Sequence, residues 1–186
     1  TVARLDKNAS DGVLAFDLAS VETHDAVVSE IVKRHGPIDC LVNNAGIASL
    51  KRGDFIDLEP EAYDAVMGVN ARGTVFFTQA VVRAMLTNKT DARRSIQFIT
   101  SASATMASPE RLDYCMSKAA LSMFAKGMAL RLAGEGVDVF EVRPGIIRTD
   151  MTARVSAKYD ALITGGLVPE GRWGTPDDVA TICATL

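Results

Sequence analysis

Residues 13–42, VLAFDLASVETHDAVVSEIVKRHGPIDCLV, read as a strand, a helix and a second strand in succession. Val13–Phe16 is a short apolar run that ends at Asp17. From Ser20 to His35, Val27, Val28, Ile31 and Val32 recur at helical spacing, and Gly36-Pro37 stops the helix. Ile38–Val42 is then an apolar run, as expected of a strand buried on both faces. A strand–helix–strand unit of this length is the building block of a parallel sheet.

The alternation continues downstream. Pro60 opens a long helical segment that reaches about Met85 and changes character at Gly68–Gly73. Ser95–Thr100 reads as a strand followed by a loop of small residues. Leu112–Ala133 reads as a helix closed by Gly134, and Val137–Val142 as the next strand. Thr175-Pro176-Asp177-Asp178 offers a capping hydroxyl, a first-turn proline and two acids on the helix dipole, so a last helix starts there. The expected fold class is α/β: a doubly wound parallel sheet, Rossmann-like, in a single domain over residues 1–186. Both ends are expected to be cut, because the chain opens on a fragment of the pattern and closes inside a helix. The first strands and the last strand of such a sheet would then lie outside it.

Composition excludes several function classes. A hydrophobic share of 48% in 186 residues supports one sizeable core rather than disorder. Lys and Arg number 20 against 23 Asp and Glu, a net charge of −3, and no basic run occurs, which argues against a nucleic-acid partner or a polybasic membrane surface. No apolar stretch approaches the ~18 residues of a membrane span, so no membrane partner is expected. Cys40, Cys115 and Cys183 lack any CxxC spacing and are expected to be buried thiols in a reducing cytoplasm. His24 and His35 fall in one surface helix by this reading, and no metal site is expected.

The chemistry concentrates around Tyr114-Cys115-Met116-Ser117-Lys118. Spacing of four residues puts the phenol and the ammonium on one helical face, with Cβ atoms about 5–6 Å apart. A free phenol, with a pKa near 10, is a poor base at neutral pH. An ammonium ~4 Å away is worth up to ~4 kcal/mol at an effective dielectric of 20, enough to bring the phenolate into working range for acid–base chemistry on a carbonyl. Ser101 ends a strand thirteen residues earlier, at the sheet edge where α/β proteins hold ligands, and its hydroxyl could hold a substrate oxygen. Ser103 competes for that role but reads better as a turn serine.

On these residues the chain resembles the short-chain dehydrogenase/reductase family over essentially its whole length. Tyr114 and Lys118 match the family's YxxxK, and Ser101 its serine by spacing. Asn43-Asn44-Ala45-Gly46 matches NNAG, and Val69-Asn70-Ala71-Arg72-Gly73 the segment that carries the fourth catalytic residue, here Asn70. Pro144-Gly145-Ile146-Ile147-Arg148-Thr149 matches PGxxxT, and Asp17-Leu18 the acidic position beside the adenine. The resemblance implies an NAD- or NADP-dependent oxidoreductase with Ser101, Tyr114, Lys118 and Asn70 as catalytic residues. It implies cofactor contacts at Asp17, Leu18, Asn44, Ala45, Gly46, Tyr114, Lys118, Pro144, Gly145, Ile147 and Thr149. Asn43 would tie adjacent loops together, and Asn70 would sit at a kink that frees a backbone carbonyl. The family's Gly-rich phosphate turn and the residue that reads the ribose are not assigned, which leaves NAD against NADP open.

The 3-oxoacyl-(acyl-carrier-protein) reductase type is the nearest resemblance, which implies a small-molecule or acyl-thioester substrate. Sugars, polyols, steroids and simple alcohols are alternatives. Tyr159, Leu162, Ile163 and Leu167 are spaced for an amphipathic helix; the resemblance implies that it covers the substrate, and a helix packed on the domain would show the same pattern. The resemblance implies a homodimer or homotetramer paired through the helices within Pro60–Met85 and Leu112–Ala133, and the surplus apolar residues of both are compatible with that. Two other classes stay open: a serine hydrolase using Ser101 with Lys118, although no GxSxG occurs, and a non-catalytic binding protein on the same fold.

Overall fold

A computed structural model describes residues 1–8, 10–88, 90–153 and 155–186. The strands among them are all parallel. β1 (Arg4–Asp6) pairs with β2 (Val13–Ala15), and β3 (Cys40–Asn43), β4 (Arg94–Ile99) and β5 (Val137–Val142) form a second sheet in that order. Helices connect the strands from β2 to β5, namely α1 (His24–His35), α2 (Pro60–Met67), α3 (Thr74–Thr87) and α4 (Leu112–Leu132), and α5 (Asp150–Ala153), α6 (Ser156–Thr164) and α7 (Pro176–Thr185) follow β5. The α/β reading with parallel pairing therefore holds.

β4 has a neighbour on each side and every one of its residues is buried. Ile96 and Phe98 point from it into a core shared with Val81 and Met85 of α3 and Leu121, Ala125 and Leu132 of α4. Each such side chain contributes about 1.5–3 kcal/mol by leaving water. Phe16, which follows β2, joins the same core through Phe77 of α3, their rings 4.9 Å apart. Burial of a cation at the end of β4 is compensated: Arg94 donates to the Met85 carbonyl at 2.9 Å and to that of Glu135.

Several expectations are corrected. β3 is not buried on both faces: Cys40 and Val42 are exposed, because β3 pairs only with β4 among the described residues and α3 covers the other face. The cysteines differ accordingly, with Cys115 buried, Cys183 half-buried and Cys40 exposed. The first helix begins with a 3-10 turn at Val21–Thr23, and His24 is no surface residue. Its ring packs between Phe16 and Phe77, and Nε2 lies 3.1 Å from the Leu18 carbonyl. His35 is exposed as expected. The long helix α4 gives way to a 3-10 turn at Ala133–Glu135, and Gly136, with φ of 67°, rather than Gly134 makes the left-handed turn. The helix near residue 160 ends at Thr164, so Leu167 lies beyond it. Ile163 is buried there and Leu162 exposed. Arg154, in the same region, lies outside the described residues.

Two local expectations hold in detail. Thr175 and Asp178 form a reciprocal capping box at the start of α7. The change of character at Gly68–Gly73 is a π-helical segment between α2 and α3. A π segment widens the turn and shifts the register of the helix at that point.

Candidate active site

The parallel register brings the ends of β3, β4 and β5 to one edge of the sheet, where Asn43 pairs with Phe98 and Ile99 with Val142. Asn44–Gly46, Ser101 and Pro144–Gly145 leave the sheet there. Open α/β sheets hold ligands outside the carboxyl ends of their strands. α4 starts beside this edge and carries Tyr114 and Lys118 one turn apart.

Lys118 is buried and donates to the Ile99 carbonyl at 2.9 Å. Its Nζ lies 5.8 Å from the centre of the Tyr114 ring. Burial pushes the ammonium down to about 8. The same burial raises the Tyr114 phenol above its ordinary value, against smaller opposing pulls from the Ser101 hydroxyl and the Arg111 charge. The expected electrostatics are thereby corrected. In the free protein desolvation penalises the charged form of both groups and outweighs the pulls that lower the phenol.

Ser101 caps a 3-10 turn at Ala102–Ala104, and its hydroxyl accepts the Ser103 backbone N–H at 3.1 Å. Ser103 lies in that turn, as expected; it is buried, and its hydroxyl accepts from Arg111 at 3.1 Å. No hydrogen bond joins Ser101 to Lys118 among the described residues, so the pair a serine hydrolase would need is not formed.

Asn70 lies in the π segment and is fully buried. Its Oδ1 accepts the Ile47 N–H at 2.7 Å, and its Nδ2 donates to the Ile47 carbonyl at 2.9 Å and to Ser117 Oγ at 3.1 Å. The side chain thus ties the loop after β3 to the helix that carries Tyr114 and Lys118. Asn43 donates to Thr78 Oγ1 at 3.1 Å, a tie between β3 and α3.

A Cβ on Gly46 would come 3.2 Å from Asn70 Oδ1 and 3.5 Å from Lys118 Nζ. The Asn70 amide would have to give by a few tenths of an ångström, whereas the contact with Lys118 is an ordinary one. Lys118 spends one of its three donors on Ile99, and the others suit the hydroxyls of a ribose. This donor set and the bare backbone at Gly46 fit a dinucleotide.

The remaining positions named from the sequence follow β2 or lie in the loops after β3 and β5. Asp17 follows β2, accepts the Ala19 N–H at 3.0 Å and pairs with Lys7 at 2.9 Å, and Lys7 holds its carboxyl below the usual range. Leu18 comes next, and its carbonyl is so close to Gly73 that a Cβ there would collide with it. Asn44 and Ala45 are exposed, as are Gly145 and Thr149, while Pro144 and Ile147 are half-buried. Ile147 bridges in parallel to Gly174, which anchors the loop after β5 to the segment before α7.

One residue escaped sequence reasoning. β1 ends at Asp6, whose carbonyl accepts the Phe16 N–H at 2.7 Å and whose Oδ1 accepts the Asn8 N–H at 2.8 Å. The signal was the run Val2–Leu5, in which Arg4 interrupts the apolar pattern.

Among the described residues no cluster of His, Cys, Asp or Glu could hold a metal ion, and no helix is long and apolar enough to cross a membrane.

Comparison with known proteins agrees with this geometry. A family model described as enoyl-(acyl carrier protein) reductase matches residues 1–186. A 3-oxoacyl-(acyl-carrier-protein) reductase of Thermotoga maritima is 35% identical over 162 residues, which are 86% of this chain and 63% of that protein. A sepiapterin reductase of Chlorobaculum tepidum is 34% identical, over 88% of this chain and 64% of that protein. The chain thus spans a little under two thirds of the length of these curated relatives. A solved 3-oxoacyl-(acyl-carrier protein) reductase from Brucella melitensis in complex with NAD superposes with a TM-score of 0.97 at 53% identity, over 98% of this chain and 78% of that one.

Proposed function

Because the chain belongs to the short-chain dehydrogenase/reductase family, we propose that it moves a hydride between NAD(P) and a carbonyl or secondary alcohol. A 3-oxoacyl thioester on a carrier protein is the leading substrate. The observation that carries this reading is the meeting of Tyr114, Ser101 and buried Lys118 at the carboxyl edge of the sheet. Similarity to reductases named for acyl-carrier-protein substrates supports the substrate class.

In the reducing direction Tyr114 gives its phenolic proton to the substrate oxygen, and Ser101 holds that oxygen by donating its hydroxyl hydrogen. The hydride itself is the cofactor's contribution. Lys118 offers two donors to the ribose beside the nicotinamide. Asn70 fixes the loop at Ile47 against α4 and so holds Gly46 where the cofactor must pass. Asp17, Leu18, Asn44, Ala45, Pro144, Gly145, Ile147 and Thr149 complete the cofactor cradle.

Asp6 favours NAD. A carboxylate at this strand end would bond the ribose hydroxyls and repel a 2′-phosphate. The neighbouring cation, Lys7, is already committed to Asp17. Residues 1–186 act as one domain in this reading, working in the cytoplasm. Phe76 on α3 and Met116, Met123 and Leu130 on α4 are large apolar side chains left exposed, and they support pairing of these helices in a homodimer or homotetramer.

The test is Tyr114→Phe, assayed with a panel of 3-oxoacyl thioesters, sugars and polyols at the nicotinamide absorbance. Turnover of a thioester by the wild type, with at least about a hundredfold loss in a folded Tyr114→Phe variant, is the expected outcome. A variant as active as the wild type would end the mechanism.

A further inference from the structure

Arg111 occupies a position the reaction described above does not use. It ends a 3-10 turn at Pro109–Arg111, immediately before α4. Its guanidinium carbon lies 5.2 Å from the centre of the Tyr114 ring, within the range of a cation over an aromatic face. One nitrogen donates to Ser103 Oγ at 3.1 Å, and the Ser103 N–H donates in turn to Ser101 Oγ at 3.1 Å. The guanidinium therefore bridges the two side chains that would hold the substrate oxygen.

Its charge is also poorly neutralised. Among the described residues Arg111 makes no ion pair, and its Nε is buried without a partner. The adjacent acid Glu110 is paired with Lys158 at 3.0 Å. The other polar or ionisable groups that face Tyr114 are Ser101, Cys115, Tyr159 and Lys118, and Asp113 accepts the Tyr114 backbone N–H at 2.7 Å. Both cations lie over the ring, Lys118 at 5.8 Å while it donates to the Ile99 carbonyl and Arg111 at 5.2 Å while it donates to Ser103.

We propose that Arg111 is a positioning residue for the hydride-transfer reaction, holding Tyr114 and Ser101 in register and supplying the positive charge that favours the phenolate. The proposal rests on the oxidoreductase reading above. Burial raises the phenol, and the Arg111 charge is one of the pulls that oppose this rise. A unit charge about 6 Å away, at an effective dielectric near 20, changes an ionisation equilibrium by tenfold or more. The outer side of Arg111 lines a concavity of ≈ 440 Å³ open to solvent, which trims the effect to about tenfold.

The experiment has two arms. In the first, the full chain labelled with 13C at the tyrosine ζ position is titrated by NMR as wild type, R111Q, R111K and S103A, with Y114F to assign the resonance. In the second, the pH profile of kcat/KM for alcohol oxidation is measured for the same proteins. R111Q is expected to titrate at higher pH and to lose about tenfold in kcat/KM at pH 7, with recovery at alkaline pH. R111K keeps the charge and stays close to the wild type. S103A keeps the backbone N–H but frees the guanidinium, and moves part of the way; it also serves if R111Q does not fold. A Tyr114 titration and a rate profile unchanged in R111Q and S103A would overturn the proposal. Shifted titrations in a wild type that turns over no substrate would instead sink the oxidoreductase reading, since the NMR arm needs no activity.

Discussion

Replacing Asn70 by alanine removes three hydrogen bonds at once: two to the Ile47 backbone and one to Ser117. Each is worth about 0.5–1.5 kcal/mol net, and a donor or acceptor stranded by the loss costs about 1–3 kcal/mol. Asn70 is fully buried, whereas Ile47 is half-buried, so water reaches part of what is exposed. The sum is a destabilisation of about 3 kcal/mol. In a domain of this size each kcal/mol moves the melting temperature by roughly 2–4 °C, which gives a fall of about 6–12 °C. Circular dichroism melts read this directly, and hydrogen exchange in residues 44–49 should speed up at the same time. Asn70→Asp separates the role of the donor from that of the acceptor. The aspartate still accepts from the Ile47 N–H but sets a charge against the Ile47 carbonyl. Its melting deficit should therefore shrink as acid protonates it and restores a donor. A melting change under 2 °C in Asn70→Ala, with loop exchange unaltered, would refute the claim that this side chain holds the loop to α4.

Two further outcomes follow from charge. Burial holds Lys118 at about 8, against an ordinary value of 10.5, so between these values the unfolded chain keeps a proton that the native chain has lost. Stability should therefore rise with pH across that window, and the cost is carried in full below about 8. The shift corresponds to roughly 3 kcal/mol, and denaturant unfolding should show the wild type gaining about that much on Lys118→Met between pH 8 and 10.5; parallel curves would contradict it. Removing the carboxylate in Asp6→Ala should raise KM for NAD about tenfold while improving the relative use of NADP. Unchanged constants for both cofactors would show that Asp6 does not read the ribose.

The local pattern carried much of the fold. Four-residue spacing puts Tyr114 and Lys118 on one face whatever surrounds them, and the capping box at Thr175 and Asp178 needs only adjacent residues. The break at Gly68–Gly73 was visible as a change of character, although its π form was not. β1 was overlooked because three residues with an arginine first carry too little periodicity; they become a strand only through their pairing with β2. His24 read as a surface residue because its burial comes from Phe77, far away in the chain.

Sequence alone therefore determined the order of the elements from β2 onward and most of the groups available at the edge of the sheet, since both follow from spacing along the chain. Which of those groups carries charge, and what each side chain grips, was decided by the tertiary structure. Burial raises the Tyr114 phenol and lowers the Lys118 ammonium, and Arg111 joins Lys118 as a second cation over the ring. The cost of a charge depends on the water removed and on neighbours brought in by folding, and neither is written in the spacing.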